Sequence, residues 1–410
     1  MTERNFVIIG GGLAGAKAAE TLREKGFDGN IVVVGDEIER PYERPPLSKG
    51  FLLGTEDKAS MFVHEPDWYS RNSVELLLGQ AATDLDPKAH RVTLADGRVL
   101  PYTKLLIATG AHPNRLPVPG FELGNVFTLR QVEQSESIGA ALERDRRVVV
   151  IGGGWIGLEV AAAARLSGCE VTVVEPQDTP LRAVLGARMG GFFGDVHRKH
   201  GVELLLGRSV TELVGGEAVS GVVLDDGSIL PADSVVVAVG VRPRTELADR
   251  AGLDIDNGIL VDASLRTSDP DIHAAGDVAN VDHAFYGRRV RVEHWDTALG
   301  SGPAAAEAML GLPVSYDRLP FFFTDQYDLG MEFVGMVPPD DRGTVITRGD
   351  VAGEAFWAFW LDGATVAAAM HVNQWDVGID PLRELVRGRR EVDADKLADP
   401  NVPLTQVTVD

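Results

Sequence analysis

Gly10, Gly12 and Gly15 stand at the spacing G-x-G-x-x-G directly after the apolar run Phe6–Ile9, a pattern suited to bringing a main chain against a phosphate. The first glycine permits a tight turn, the second lets a pyrophosphate approach the backbone, and the third lets the following helix pack closely. The N-terminus of that helix offers N–H groups and the positive end of its dipole to the anion. Asp36 ends the next apolar run, about 20 residues on, where a carboxylate can accept from a ribose hydroxyl. Glu37 is the neighbouring candidate.

The same device occurs twice. Asn5–Glu37 is echoed by Arg147–Pro176, in which Gly152, Gly154 and Gly157 repeat the spacing and Glu175 takes the acidic position. One copy alone is also compatible with a ligand-free strand-to-helix turn, whereas two copies in full context point to two bound dinucleotides. A carboxylate at 175 binds a 2′-hydroxyl and repels a 2′-phosphate, and Pro176, Gln177 and Asp178 supply no cation, so NADH is favoured over NADPH. Arg182 leaves NADPH open, its other reading being a solvated arginine.

The elements that must position these turns are legible around them. Phe6–Ile9 and Val148–Ile151 read as buried parallel strands, and Ala14–Leu22 and Ile156–Leu166 as helices packed on a sheet. A second echo sets Leu105–Pro113 against Val235–Pro243, each an apolar strand running into glycine and a proline turn. Ile272–Ala279 lies beyond the second module, which implies that the first module is interrupted by the second and completed later. From Leu319 the pattern turns aromatic and alternating, as in Ala355–Leu361, and reads as a separate α+β domain.

Composition narrows the class. The 410 residues allow several domains, and 46 glycines with a mean hydropathy near zero fit an α/β protein. A net charge of −22 argues against general nucleic-acid binding, which needs a basic face. The single cysteine, Cys169, rules out an intramolecular disulfide, a Cys-rich zinc site and a redox-active cysteine pair, and reads as a core residue. Redox chemistry therefore requires a borrowed cofactor. No metal is expected: His197 and His200 lie three apart on a helix without a ligand motif beside them. The start, MTERNFVIIGGG, resembles neither a signal peptide nor a membrane span, and a cytoplasmic location without membrane contact is expected.

Together with the two glycine turns, Arg44–Lys49 (RPPLSK), Leu106–Gly110 (LIATG), Gly152–Glu159 (GGGWIGLE), Ala274–Val278 (AAGDV), Arg291–Ala298 (RVEHWDTA) and Asp325–Tyr327 (DQY) make the chain resemble the FAD-dependent, NADH-linked ferredoxin reductases of oxygenase systems. The likeness covers nearly the whole chain, and the apoptosis-inducing factors share most of these segments. It implies an α/β, glutathione-reductase-like two-dinucleotide-binding flavoprotein. Its FAD-binding domain would come in two parts, 1–112 and 242–319, around an NAD-binding domain at 113–241, with a C-terminal α+β reductase domain at 320–410.

The resemblance also assigns roles. Lys49 lies near flavin N5 and Glu159 beside the nicotinamide carboxamide, the two pairing as charges at the reacting centre; a surface lysine and a helix-face glutamate are the plain alternatives. Arg44 and Arg130 meet the FAD phosphates, although Arg130 also suits an interdomain ion pair. Asp277 binds the ribityl chain or caps a helix, and Gly276 precedes it. Glu293, His294 and Trp295 approach the flavin pyrimidine side or the nicotinamide, with Ala298 one turn on; His294 is positional, because hydride transfer to flavin needs no histidine. Leu13, Ala14, Ala82, Ala108, Thr109 and Gly110 are further cofactor-binding positions, as are Trp155, Ile156 and Gly240.

The implied activity is NADH:ferredoxin reduction, with FAD converting a hydride into single electrons for a cytochrome P450 or ring-hydroxylating oxygenase. NADH oxidase or quinone reductase activity, and an NADH-sensing interaction protein, are the other readings. One departure stands out: where these reductases show Phe-Trp-Ser, this chain has Phe322, Phe323 and Thr324. The run Arg383, Arg387, Arg389 and Arg390 either docks an acidic ferredoxin or is an ordinary helix end.

Overall fold

In the computed structural model of the chain, residues 4–338 and 344–409 are described. They group into two compact units. One gathers the described residues of Met1–Arg44, Lys58–His112 and Val241–Pro320; the other gathers those of Pro45–Asp57, Pro113–Gly240 and Phe321–Asp410.

The first unit is built on a five-stranded parallel sheet in the order Ile272–Ala274, Lys104–Ile107, Asn5–Ile9, Asn30–Val34, Val74–Leu77. Asn5–Ile9 is central, and its Phe6, Val7, Ile8 and Ile9 are buried, which is why the run is apolar without alternation. Helix Leu13–Glu24 leaves the glycine turn and lays Ala14, Ala18, Ala19 and Leu22 into the core. It stops at Gly26, whose φ of +78° closes the end in the left-handed region. Ile272–Ala274 joins the edge at Lys104–Ile107, so this sheet is completed by residues that follow the whole second glycine module.

The second unit repeats the plan. Its parallel sheet runs Glu203–Leu206, Glu170–Glu175, Arg147–Ile151, Ser234–Val237, Val126–Phe127, with helix Trp155–Leu166 following the central strand. In both units the strand beside the central one follows a three-stranded antiparallel insertion, Ala82–Pro101 in the first and Val210–Pro231 in the second. That shared order is the physical basis of the second sequence echo.

The C-terminal residues form a five-stranded antiparallel sheet, ordered Phe321–Gln326, Leu329–Gly335, Thr365–Val372, Ala355–Asp362, Val345–Asp350. Although its pattern reads as a separate domain, the sheet shares one core with the nucleotide module. Leu185, Met189 and Phe193 of helix Arg182–Lys199 pack with Phe333, Phe356 and Trp360, and the Trp360 indole donates to the Leu185 carbonyl at 3.1 Å. Pro45–Asp57 belongs to this unit too: Ser135 donates to the Leu47 carbonyl at 2.7 Å, and Leu52 packs with Ile138. No helix among the described residues is long and apolar enough to cross a membrane.

Within the first unit, helix Trp295–Met309 crosses the helix Leu13–Glu24 at Gly302, where a Cβ would lie 2.3 Å from the Ala14 carbonyl oxygen. Gly302→Val forces these backbones apart and is expected to lower stability by about 1–3 kcal/mol, read as a fall in the urea midpoint. An unchanged midpoint contradicts the close crossing.

Candidate functional site

In the first glycine turn, two of the three glycines are required by the protein itself. Gly10 has a φ of +129° and a Cβ there would sit 2.1 Å from the Ala108 oxygen; a Cβ at Gly15 would sit 2.1 Å from the Gly10 oxygen. Gly12 is different. Its φ of −92° suits any residue, and a Cβ there meets nothing within 4 Å. Neither strain nor packing explains a glycine at 12, whereas a pyrophosphate against the main chain does. The helix starting at Leu13 has no side-chain cap and no acid in its first turn, which leaves its positive end for an anion.

Around that turn the unit collects most of the expected FAD positions. Asp36 accepts from Arg244 at 2.7 Å; burial pushes the carboxyl up, but the Arg244 hydrogen bond and charge outweigh it and hold Asp36 below the usual carboxylate range. Glu37 accepts from Arg44 at 2.7 Å and from the Tyr42 hydroxyl at 2.5 Å, and the Asp277 charge also acts on Arg44. Thus Glu37 and Arg44 are paired, with the charge of Asp277 acting on the same guanidinium. Thr109 donates to the Arg244 carbonyl at 2.8 Å, and Gly110 has a φ of +70°. Gly276 donates its N–H to Ser301 at 2.8 Å, and its own Cβ position is 3.3 Å from Ala14.

Other expected positions lie on other elements of this unit. Ala82 opens an antiparallel strand, Glu293 accepts from Arg291, His294 precedes helix Trp295–Met309 in extended conformation, and Ala298 packs on the core.

The second turn reproduces the logic. Cβ atoms at Gly152 and Gly157 would meet Ala238 and Gly152 oxygens at 2.4 and 2.1 Å, while one at Gly154, with a φ of −79°, meets nothing within 4 Å. Glu175 is held at this turn: Oε2 accepts from the Gly153 N–H at 2.6 Å and Oε1 from the Gln177 N–H at 2.9 Å. Arg182 lies 3.8 Å from Asp178. Gly240 has a φ of +85°, and the Arg130 N–H donates to Gln134 at 2.7 Å. Ile156 is 44% exposed at the helix start, but the Trp155 indole turns into the core against Phe193 and Phe322, leaving its backbone at the turn.

The ion pair expected between Lys49 and Glu159 is present, with Nζ 2.7 Å from Oε1. Glu159 is only 4% exposed, and a buried carboxylate persists only when several donors meet it. Here Thr324 supplies a second, 2.6 Å from Oε1, and Ser48 a third at Oε2. Ser48 and Thr324 lie in segments that mark the family, but a hydroxyl carries no motif of its own, and the sequence does not reveal that both donate to Glu159. The Phe323 ring lies 5.4 Å from Lys49 Nζ, so the position of the missing indole still offers an aromatic face to that cation.

Cys169 is buried in the core, where burial pushes its thiol up. In the C-terminal part of the second unit, Arg383 pairs with Asp380 at 3.0 Å and lies over Phe321, while Arg387, Arg389 and Arg390 are exposed.

Fold and site thus define an oxidoreductase with two dinucleotide cradles. The family model for pyridine nucleotide-disulphide oxidoreductases matches residues 4–302 and that for the reductase C-terminal region matches 321–408; the chain belongs to the pyridine nucleotide-disulphide oxidoreductase family. The family uses FAD and NADH. With one cysteine, this chain has no dithiol of its own. It is 38% identical to putidaredoxin reductase of Pseudomonas putida, covering 98% of this chain and 96% of that one. It is 40% identical to the ferredoxin–NAD(+) reductase component of the anthranilate 1,2-dioxygenase system of Burkholderia cepacia, covering 98% and 99%. A solved covalent putidaredoxin reductase–putidaredoxin complex matches with a TM-score of 0.95 at 36% identity, covering 98% of both chains.

The contrast between glycines is testable. Gly12→Ala is expected to fold with wild-type stability yet retain little FAD, and Gly154→Ala to keep its flavin while losing NADH affinity. Gly10→Ala is expected to lose stability as well as flavin. Flavin absorbance per chain, NADH titration and urea midpoints separate these outcomes; a Gly12→Ala protein with full flavin content contradicts the assignment.

Proposed function

We propose that this chain is an FAD-dependent NADH:ferredoxin reductase that works in the cytoplasm and feeds electrons to a cytochrome P450 or ring-hydroxylating oxygenase through an iron–sulfur ferredoxin. The observation that carries the reading is the pair of open glycine positions, Gly12 and Gly154, each at the start of the helix that follows the central strand of its own parallel sheet, where only a ligand calls for glycine. Support for the acceptor comes from the relatives, which are reductases of this kind along nearly their full length.

The described residues would hold the two nucleotides as follows. Gly10–Gly15 with Asp36, Arg44 and Asp277 take FAD, and Gly152–Gly157 with Glu175 take NADH. FAD, when bound, accepts a hydride and returns electrons singly. Lys49 and Glu159 fix each other, so that an ammonium is held for the flavin side and a carboxylate for the nicotinamide carboxamide. The Phe323 ring faces the Lys49 ammonium at 5.4 Å, and Trp155, one helical turn before Glu159, packs against Phe322. Glu175, already oriented by two N–H groups, accepts from the ribose 2′-hydroxyl and repels a 2′-phosphate. The exposed Arg387, Arg389 and Arg390 suit an acidic ferredoxin.

Anaerobic stopped-flow reduction by NADH, followed by mixing with ferredoxin, tests both halves. Turnover of cytochrome c that rises with added ferredoxin is expected; equal turnover with quinone or oxygen alone contradicts the acceptor. Glu175→Ala is expected to lower the preference for NADH over NADPH by roughly tenfold or more, the worth of one hydrogen bond to a charged group. Lys49→Ala is expected to slow flavin reduction by a similar factor with FAD content retained.

A further inference from the structure

Glu159 lies at the end of a hydrogen-bonded chain that the nucleotide-binding reading does not use. Thr324 donates to its Oε1 at 2.6 Å, Gln326 Nε2 donates to Thr324 Oγ1 at 3.1 Å, Gln326 Oε1 lies 2.8 Å from His197 Nε2, and the Tyr327 hydroxyl lies 3.1 Å from His197 Nδ1. Thr324, Gln326 and His197 are all at most 1% exposed. No water can enter to repair a wrong orientation, so the donors and acceptors must agree along the line.

Only one sense of the chain fits Glu159. Lysine can only donate and a carboxylate only accept, and the Lys49–Glu159 pair fixes the carboxylate as the terminal acceptor. For Thr324 to donate to Glu159, its oxygen must receive from Gln326; the Gln326 amide then presents its oxygen to His197, whose Nε2 must carry the proton. His197 Nδ1 is left to accept from Tyr327. Were the Gln326 amide reversed, the Thr324 proton would be drawn away from Glu159 and two oxygens would face each other at 2.6 Å. Burial pushes His197 down to about 4, in keeping with a neutral ring that must choose one tautomer.

We propose that His197 and Gln326 are positioning residues for hydride transfer: the buried chain Tyr327, His197, Gln326, Thr324 donates in one direction onto Glu159 and sets the carboxylate that orients the nicotinamide. The proposal rests on the role of Glu159 given under Proposed function. It gives the otherwise unexplained histidine of helix Arg182–Lys199 and the Asp-Gln-Tyr segment a common task, with helix and sheet each supplying part of the line. His200 stacks on Tyr327 with ring centroids 3.7 Å apart, which braces the far end.

The chain predicts the behaviour of near-isosteric changes. Gln326→Glu keeps the acceptor for His197 but, when ionised, cannot donate to Thr324, so the Thr324 hydroxyl is drawn from Glu159. When protonated, its carboxyl donates again. The charged and titratable groups around position 326 are Glu159 and Lys49, the neighbouring Asp325, Glu332 on the adjoining strand, His197 and His200 on the helix, and Tyr327 with the charge of Arg165.

The test uses FAD-loaded wild type, Gln326→Glu, Gln326→Met, His197→Gln and His197→Phe. Expected for wild type is a neutral His197 with its proton on Nε2, read from imidazole nitrogen NMR between pH 5.5 and 8. In stopped flow at saturating NADH, Gln326→Met and His197→Phe are expected to reduce flavin roughly tenfold more slowly with little change in NADH affinity. His197→Gln, which keeps a donor at the Nε2 position, is expected near wild type. Gln326→Glu is expected to show a rate that falls as pH rises, through an inflection that wild type lacks between pH 5.5 and 9.5. A His197 proton on Nδ1, a pH-independent loss equal in Gln326→Glu and Gln326→Met, or wild-type rates in both overturns the proposal. Should NADH fail to reduce even the wild-type flavin, the reading of Glu159 falls, and the NMR tautomer alone still decides the direction of the chain.

Discussion

A carboxylate in a dry place is the constraint on which the second unit turns. Removing an ion from water costs several kcal/mol, and the attraction of one partner seldom repays it without further hydrogen bonds. Glu159 is buried to 4% exposure and meets Lys49, Ser48 and Thr324. These partners come from Pro45–Ser48 and the residue after it, and from the first strand of the C-terminal sheet, far apart in the chain. Their convergence on one carboxylate adds to the shared apolar core that ties Pro45–Asp57 and the C-terminal sheet to the helix after the second glycine turn.

The two glycine turns show how one local device divides its demands. The outer glycines answer to the protein, since the backbones of Ala108 and Ala238 leave no room for a side chain at 10 and 152. The middle glycines answer to nothing in the protein. Burial within each sheet fixes the position of the turn, and the empty middle position gives it a use.

Much of this was legible in the sequence for a physical reason: parallel strands buried on both faces are continuous apolar runs, and a backbone that approaches phosphate is restricted to glycine. The duplicated modules and the return of Ile272–Ala274 to the first sheet followed from such signals, whereas the Lys49–Glu159 pair was implied only by the family resemblance. What was not legible depended on tertiary contact. Nothing in RPPLSK says that Ser48 faces Glu159, and the change from Ser to Thr at 324 conceals that a hydroxyl is kept. Trp155 reads as part of the cofactor motif, yet its ring is taken up by Phe193 and Phe322. The C-terminal sheet reads as separate because strand alternation cannot reveal that helix Arg182–Lys199 shares its core.

In the proposed reaction Glu159 serves the arrival of electrons from NADH and not their departure. Replacing it by glutamine keeps the volume and removes the charge, and the two half-reactions can be timed separately in one stopped-flow series. Glu159→Gln is expected to retain FAD, to be reduced by saturating NADH at least tenfold more slowly, and, once reduced chemically by dithionite, to pass electrons to ferredoxin at the wild-type rate. Reduction by NADH at the wild-type rate, or a loss confined to the ferredoxin step, would contradict it.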